Sequence, residues 1–254
     1  MSLSVALLAG GMATRLYPLT KVTPKSLVDV AGRPFICHQM ELLRRNGLVN
    51  IVICAGYLGD KIQGALGDGS EMGLYIQYVF DGPMLLGTGG AIRKALPLLG
   101  DPFFVLYGDS FLEIDYQQIE QVFSRCAKLG LMTVYKNSGR WDQSNVLLRN
   151  GQIVAYDKKR PVAEMQYIDY GLGVLRKSAF DAVPEGQFYD LANVYRTLVQ
   201  HEQLGGFEVH QRFYEIGSPE GLAETRAYLD AQLRRKDGDG ILRAELPKRR
   251  REDH

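Results

Sequence analysis

Residues 5–35 read VALLAGGMATRLYPLTKVTPKSLVDVAGRPF. The run opens with an apolar stretch, residues 5–9, that breaks at Gly10 and Gly11. A short apolar run stopped by two glycines predicts a buried strand leaving its sheet into a tight loop. Glycines there can take positive φ and let another molecule approach the backbone closely. Loops after the first strand of an α/β unit turn backbone N–H groups toward phosphate oxygens. Arg15 and Lys25 bring two positive charges to the same neighbourhood, and Pro18 and Pro24 stiffen the segment between them. The expectation is a preorganised cradle for a polyanion. The alternative is a plain turn with solvated cations.

Working outward, strands and helices alternate. Arg33-Pro34-Phe35-Ile36 is expected to open a helix with Pro34 in its first turn, an apolar stripe at Phe35, Ile36, Gln39, Leu42 and Leu43, and a stop at Asn46-Gly47. Strands are expected at 51–54, 74–79 and 103–107, and helices at 57–66 and from Gly87 through Leu96. That alternation predicts a mostly parallel, doubly wound sheet with right-handed crossovers. Ligands on such sheets bind beyond the carboxyl ends of the strands. The glycine loop, Gly87-Thr88-Gly89-Gly90 and Asp109 all fall there.

The second half has a helix over 115–128, a strand at 131–135 and a hairpin of 145–148 with 153–156 about Asn150-Gly151. A strand at 167–175, a helix at 191–201, short strands at 207–209 and 213–216 and a helix from Ser218-Pro219 to about Leu233 complete it. From 234 to 254 the composition turns charged, ending near Lys248-Arg249-Arg250-Arg251. A solvated or loosely docked tail is expected there.

The 254 residues are 46% hydrophobic and 23% charged, enough for a sizeable core and unlike a disordered chain. A net charge of +1 argues against a general nucleic-acid or membrane binder. Cys37, Cys54 and Cys126 are far apart and form no C-x-x-C pair. Buried reduced thiols in a reducing cytoplasm are therefore expected, with neither a metal site nor a disulfide framework. Met1 leads directly into the first strand. No charged-then-apolar leader precedes it, and no run is long enough to span a bilayer.

The run from Leu8 to Phe35 resembles the signature of the sugar-1-phosphate nucleotidylyltransferases, approximately G-G-x-G-T-R-L-x-P-L-T, then P-K-x-L, then G-x-P. It departs at Ala13, where the family has glycine, so a positive φ there would carry strain. LYGDSFLEIDY resembles the family's strand-end Gly-Asp, and LLGTGGA its L-G-T-x-G/A-A segment. FYEIGSPEG resembles its Asp-x-Gly-Thr/Ser-Pro-Glu, with Glu215 one methylene longer than the usual Asp. Tyr156-Asp157-Lys158-Lys159 is similar to the family's aromatic-acid-Glu-Lys, in a register open by one residue. Asp169 and Tyr170 stand where the family has Asn and a small residue, and Arg140-Trp141-Asp142-Gln143-Ser144-Asn145 where it has Tyr-Gly. The likeness is therefore firm in the nucleotide half and thin in the acceptor half.

The resemblance implies a Rossmann-like, three-layer α/β/α fold with a mostly parallel mixed sheet and a small sugar-binding β lobe. It implies one nucleotidyltransferase domain over 1–233, about 1–115 for the nucleotide and 116–233 for the sugar. It is similar to short, single-module members that transfer uridylyl or guanylyl groups, with no β-helix to follow. The implied substrates are an NTP, with GTP or UTP favoured, and a sugar 1-phosphate. No nucleic acid or membrane partner is implied, and a homo-oligomer is left open. Arg15 and Lys25 would be catalytic. Ala9, Gly10, Gly11, Met12, Ala13, Thr14, Gly87, Thr88 and Gly89 would contact the nucleotide. Gly108, Asp157, Lys158, Asp169 and Gly171 would contact the sugar phosphate, with Lys159 in reserve. Asp109 and Glu215 would hold Mg²⁺. Two rival readings stand beside this one. A catalytically silent binding or regulatory subunit is suggested by Glu215 and the altered acceptor strands. A dinucleotide-dependent dehydrogenase is suggested by the glycine loop, which lacks G-x-G-x-x-G order.

Overall fold

The first apolar run forms strand β1, Ser4–Leu8, with Val5 and Leu7 on one face of the sheet and Ala6 on the other, all fully buried. The computed structural model describes residues 2–137, 139, 141 and 143–244. After β1 the chain makes short 3-10 turns at Thr14–Leu16, Leu19–Lys21 and Lys25–Leu27. It then forms β2 (Asp29–Val30), β3 (Arg33–Pro34), α1 (Phe35–Arg45), β4 (Asn50–Ala55), α2 (Gly59–Leu66), β5 (Tyr75–Phe80), α3 (Gly87–Ala95), β6 (Phe103–Tyr107), β7 (Ser110–Phe111) and α4 (Tyr116–Ser124). The rest comprises β8 (Gly130–Lys136), β9 (Val146–Arg149), β10 (Gln152–Tyr156), β11 (Tyr167–Leu175), α5 (Leu191–Gln200), β12 (Leu204–Val209), β13 (Tyr214–Glu215) and α6 (Pro219–Ala244).

Among the described residues the main sheet runs β5-β4-β1-β6-β11-β8-β12-β10-β9. Strands β5, β4, β1 and β6 are mutually parallel. The parallel character stops at β11, which is antiparallel to both β6 and β8. The fold is thus α/β with a mixed sheet: its four strands from the first half are all parallel, and in the second half β12 is again parallel to β8. The pairing of β11 with β8 shifts between Asp169 and Gly173, around Gly171 at φ +96°. The register shift there marks a bulge in β11. Strand β9 returns to β11 through Tyr167 and Val146, so β11, β8, β12, β10 and β9 form a small lobe closed on itself.

Helices cover both faces. Ile36, Met40 and Leu43 of α1, Ile62 of α2, and Ile119 and Phe123 of α4 pack on Val5, Leu7, Ile51 and Ile53. Ile92 and Ala95 of α3, and Leu191, Val194 and Leu198 of α5, pack on Ala6, Val52 and Val105. Each fully buried large apolar side chain contributes about 1.5–3 kcal/mol, so these layers carry the stability of the sheet. A third cluster joins Leu222 and Leu229 of α6 to Val28, Val30, Phe35, Phe111 and Ile216.

Three local readings change. Pro34 precedes α1 and pairs with Asp29 in the β2–β3 ladder instead of lying in the first helical turn. Neither Gly10 nor Gly11 has positive φ; the left-handed residue of that loop is Ala13, at φ 50° and ψ 46°. Helix α6 runs past Leu233 to Ala244. The remainder of the charged segment, with Lys248 to Arg251, lies outside the described residues, as do Arg140 and Asp142. All three cysteines are free. Burial pushes the Cys54 thiol up to about 12, which keeps it protonated and inert. Among the described residues no helix is long and apolar enough to cross a membrane.

Candidate active site

The parallel register brings the carboxyl ends of β1, β4, β5 and β6 to one edge: Leu8 lies beside Cys54 and Tyr107, and Ala55 beside Phe80. The chain leaves those strands at Ala9, Gly56, Asp81 and Gly108. Glycine is needed here for close packing. A Cβ on Gly10 would lie 2.9 Å from the Gly56 nitrogen, and one on Gly108 would lie 2.9 Å from the Leu8 oxygen. Gly11 instead faces open space, with nothing within 4 Å of a Cβ.

A cavity of about 360 Å³ opens at this edge. Eight of the residues predicted from the sequence line it: Ala9, Gly10, Gly11, Lys25, Gly87, Thr88, Gly108 and Asp109. Lys25 and Asp109 form an ion pair across its wall, Nζ to Oδ2 2.5 Å, with side chains only 20% and 24% exposed. The Asp109 segment is fixed from beneath by Gln39 of α1. Its Nε2 donates to the Tyr107 oxygen at 2.9 Å and to the Ser110 oxygen at 2.6 Å.

Arg15 and Glu215 do not line the cavity but meet Asp109 at its margin. Strand β13 pairs with β7, placing Glu215 opposite Ser110, the residue after Asp109. The Ile216 N–H donates to the Asp109 oxygen at 3.0 Å. A Cβ on Gly217 would stand 2.6 Å from Glu215 Oε2, 3.1 Å from Arg15 Nη2 and 3.4 Å from Asp109 Oδ2. One guanidinium and two carboxylates therefore converge on one glycine.

Some of the residues expected at the sugar phosphate form a second group beside Tyr107. Lys158 Nζ lies 3.1 Å from Asp169 Oδ2 and 5.7 Å from the ring centres of both Tyr107 and Tyr156. Asp169 is almost wholly buried; its Oδ1 accepts from the Gly171 N–H at 3.1 Å and its Oδ2 from the Tyr156 hydroxyl at 3.2 Å. Burial first, and Asp169 second, push the Tyr107, Tyr156 and Tyr195 phenols above their ordinary range, so these hydroxyls stay protonated donors. Asp157 is not part of this group. Its Oδ1 accepts from the N–H groups of Lys159 and Arg160 in an exposed turn, and those bonds hold its carboxyl below the usual range. Met12, Ala13, Thr14 and Gly89 also lie off the cavity lining.

The segment from Leu86 to Gly90 also has a neighbour that its sequence does not suggest. Gly89 and Gly90 donate their N–H groups to the Tyr189 oxygen at 2.8 and 3.1 Å, and Tyr189 donates to the Leu86 oxygen at 2.8 Å. A Cβ on Gly90 would lie 2.5 Å from the Gln187 oxygen. These small residues thus make room for a loop of this same chain. That loop contributes Phe188 and Asp190 to the cavity, and both escaped sequence reading. So did Asp81, Leu85 and Tyr107. Asp81 had a usable signal, because it follows β5 just as Asp109 follows β6.

Among the described residues no group of three or more His, Cys, Asp or Glu side chains could by itself hold a metal ion. The wall nevertheless presents the Lys25 ammonium and the carboxylates of Asp81, Asp109 and Asp190, and Arg15 and Glu215 stand at its margin beside Asp109.

The comparisons with known proteins agree with this geometry. The family model described as Nucleotidyl transferase matches residues 5–140. N-acetylmuramate alpha-1-phosphate uridylyltransferase of Neisseria meningitidis is 33% identical over 231 residues, covering 89% of this chain and 97% of that protein. UTP--glucose-1-phosphate uridylyltransferase of Synechocystis is 27% identical; the alignment covers 92% of this chain and 66% of that relative's length. Among solved structures, HddC from Yersinia pseudotuberculosis in complex with GMP-PN superposes with a TM-score of 0.72. It is 22% identical and covers 90% of this chain and all of that one, a likeness of fold. The glycine-floored cavity, the matched first 140 residues and the near full-length relative converge, and the chain belongs to the sugar-1-phosphate nucleotidylyltransferases, enzymes that form an NDP-sugar from an NTP and a sugar 1-phosphate.

Proposed function

We propose that this enzyme transfers a nucleotidyl group from UTP or GTP to a sugar 1-phosphate, releasing pyrophosphate, with UTP the first candidate. The Lys25–Asp109 ion pair on the wall of the glycine-floored cavity is the observation that carries the reading. The 33% identical uridylyltransferase favours UTP, and the GMP-PN complex of a protein of like fold keeps GTP in view. Asp81 Oδ1, buried on the cavity lining without a partner, supports a base that offers a ring N–H, as uracil and guanine both do.

A phosphate oxygen of the sugar 1-phosphate attacks the α-phosphorus in line, and the bond to the bridging oxygen of pyrophosphate breaks. The nucleophile is already ionised near neutral pH, so no general base is required. Positioning and charge do most of the work. The N–H groups of residues 10–14 cradle the phosphates, that of Ala9 being bonded to the Cys54 oxygen. Arg15 meets the β,γ-phosphates, where charge develops, and Lys25 eases the approach of two anions. Lys158, held against Asp169, anchors the acceptor phosphate; Lys159 is the alternative, and Asp157 orders the turn that carries them.

The donor set fits Mg²⁺, which binds through one or two carboxylates plus substrate phosphates and not in an all-protein cage. Lys25 on Asp109 is already a cation at that carboxylate. Asp109 and Glu215 would hold the ion, which supplies charge stabilisation at the phosphates under attack. A cytoplasmic location fits the free cysteines.

The test is a matrix of NTPs against sugar 1-phosphates read by pyrophosphate release. One strongly active cell identifies base and sugar together. Arg15→Ala and Asp109→Asn should each lower kcat by about 10²-fold or more, in line with loss of a charge-stabilising group, while retaining the wild-type circular dichroism. Near-normal release from either variant would refute these roles. Tight NTP binding with no product from any acceptor would favour a silent binding subunit.

A further inference from the structure

Glu215 reaches its position only because Gly221, two positions into α6, has no side chain. A Cβ there would overlap Glu215 Oε1, stand 2.5 Å from its Cδ and lie 2.9 Å from its backbone oxygen. The carboxylate is therefore folded into the first turn of α6. Its Oε2 accepts from the Gly217 N–H, and its Oε1 accepts from the Ser218 hydroxyl at 2.7 Å. The same Ser218 oxygen accepts from the Gly221 N–H at 3.0 Å, so Gly221 also orients the donor that holds Glu215. Thr225, fully buried, donates to the Glu215 oxygen at 2.7 Å and fixes the backbone. Glutamate carries one methylene more than aspartate, and the space its set-back carboxylate occupies is the space a Cβ on residue 221 would fill. The partial positive end of α6 stabilises the folded-back anion.

We propose that Gly221 is a positioning residue. It forms a matched pair with Glu215, and the pair sets the longer carboxylate back beside Asp109 and Arg15 so that it can share a divalent cation with the substrate phosphates. This rests on the reading of Glu215 as a metal ligand. The pair itself is a statement about packing that stands or falls separately.

The experiment is a double-mutant cycle of Gly221→Ala and Glu215→Ala, with two readouts: Mn²⁺ binding followed by electron paramagnetic resonance in the presence of UTP without acceptor, and the melting temperature of the metal-free protein. Gly221→Ala alone should weaken Mn²⁺ binding roughly tenfold, as displacement of a group that orients a ligand does. In the Glu215→Ala background the same substitution should change Mn²⁺ binding less than about twofold, within the additivity error of such cycles. It should also cost less in melting temperature, because the overlap with the carboxylate is gone. Equal losses in both backgrounds would overturn the pairing. If Glu215→Ala leaves Mn²⁺ binding unchanged while the melting temperatures remain non-additive, the pairing stands and the ligand role of Glu215 falls.

Discussion

Asp81 shows how one side chain in the cavity trades stability for readiness. Its Oδ2 accepts from the Leu86 N–H at 3.1 Å, while Oδ1 is buried with no partner. Burial pushes its carboxyl up, against the smaller opposing effects of the Leu86 N–H and Lys94. The folded protein therefore holds this proton more tightly than the unfolded chain does. The protonated form favours the folded state at low pH, and that advantage is lost as pH rises through the raised pKa. Asp81→Asn removes the buried charge. The variant should melt higher than the wild type at pH 7, with the difference shrinking toward about pH 4, the ordinary carboxylate range. A variant that melts lower at every pH would show that the Leu86 bond outweighs the desolvated charge. Ala13 is strained in a similar local sense. It holds a left-handed conformation that costs an L-residue roughly 1–2 kcal/mol, and its carbonyl accepts from the Thr20 hydroxyl at 2.8 Å and the Leu16 N–H at 3.1 Å.

At the scale of elements, the start of α3 and the loop before α5 form one unit. Thr88 Oγ1 donates to Asp190 Oδ1 at 3.1 Å and accepts from the Leu191 N–H at 2.8 Å. Asp190 in turn caps α5 by accepting from the Ala192 N–H at 3.0 Å. Thr88→Val keeps the shape but leaves the Leu191 donor unpaired. It should lower stability by about 1–3 kcal/mol, the range for a buried donor left without its acceptor. It should also raise the KM for NTP, because Phe188 and Asp190 line the cavity from that loop. Urea denaturation and NTP titration check the two effects; unchanged stability would mean that the loop docks without Thr88. This unit was illegible in the sequence because its halves lie 102 and 103 residues apart. What was legible followed local rules. Asn150 and Gly151, at φ 50° and 73°, make the hairpin turn their dipeptide predicts, and β11 spans the residues its apolar pattern marks. Gln39 was read only as a member of a helical stripe. Nothing local says that its amide reaches two carbonyls beneath Asp109, because those contacts span 68 and 71 residues. The glycine loop and Asp109 could be read because strand-end position puts them at one edge; Lys25, in a 3-10 turn well past β1, was read from the resemblance of its Pro24-Lys25 motif.

Across the whole molecule, α6 connects the two ends of the chain at the site. Its Arg226 donates to the Asp29 oxygen through Nε at 3.1 Å and Nη2 at 2.9 Å. Tyr228 stacks on Tyr214 with ring centres 3.8 Å apart and bonds Glu113, which also accepts from Gln232 at 2.7 Å. Leu222 and Leu229 fill the cluster that holds Val28, Val30 and Phe35 against Ile216. The segment after Lys25 and the segment bearing Glu215 are thus held by one helix, and among the residues whose side chains are described these contacts reach Gln232. We propose that 1–233 is the folding unit, with 234–254 dispensable to it. A chain ending after Leu233 should melt within about 2 °C of the full-length protein, less than roughly 1 kcal/mol for a domain of this size, and release pyrophosphate at the same rate. A chain ending after Ser218 should fail to fold cooperatively, because Leu222 and Leu229, worth about 1.5–3 kcal/mol each when buried, go with the helix. Ser218 would then keep its hydroxyl but lose the Gly221 donor that orients it toward Glu215. A large fall in melting temperature on removing only 234–254 would move the boundary of the unit outward along α6.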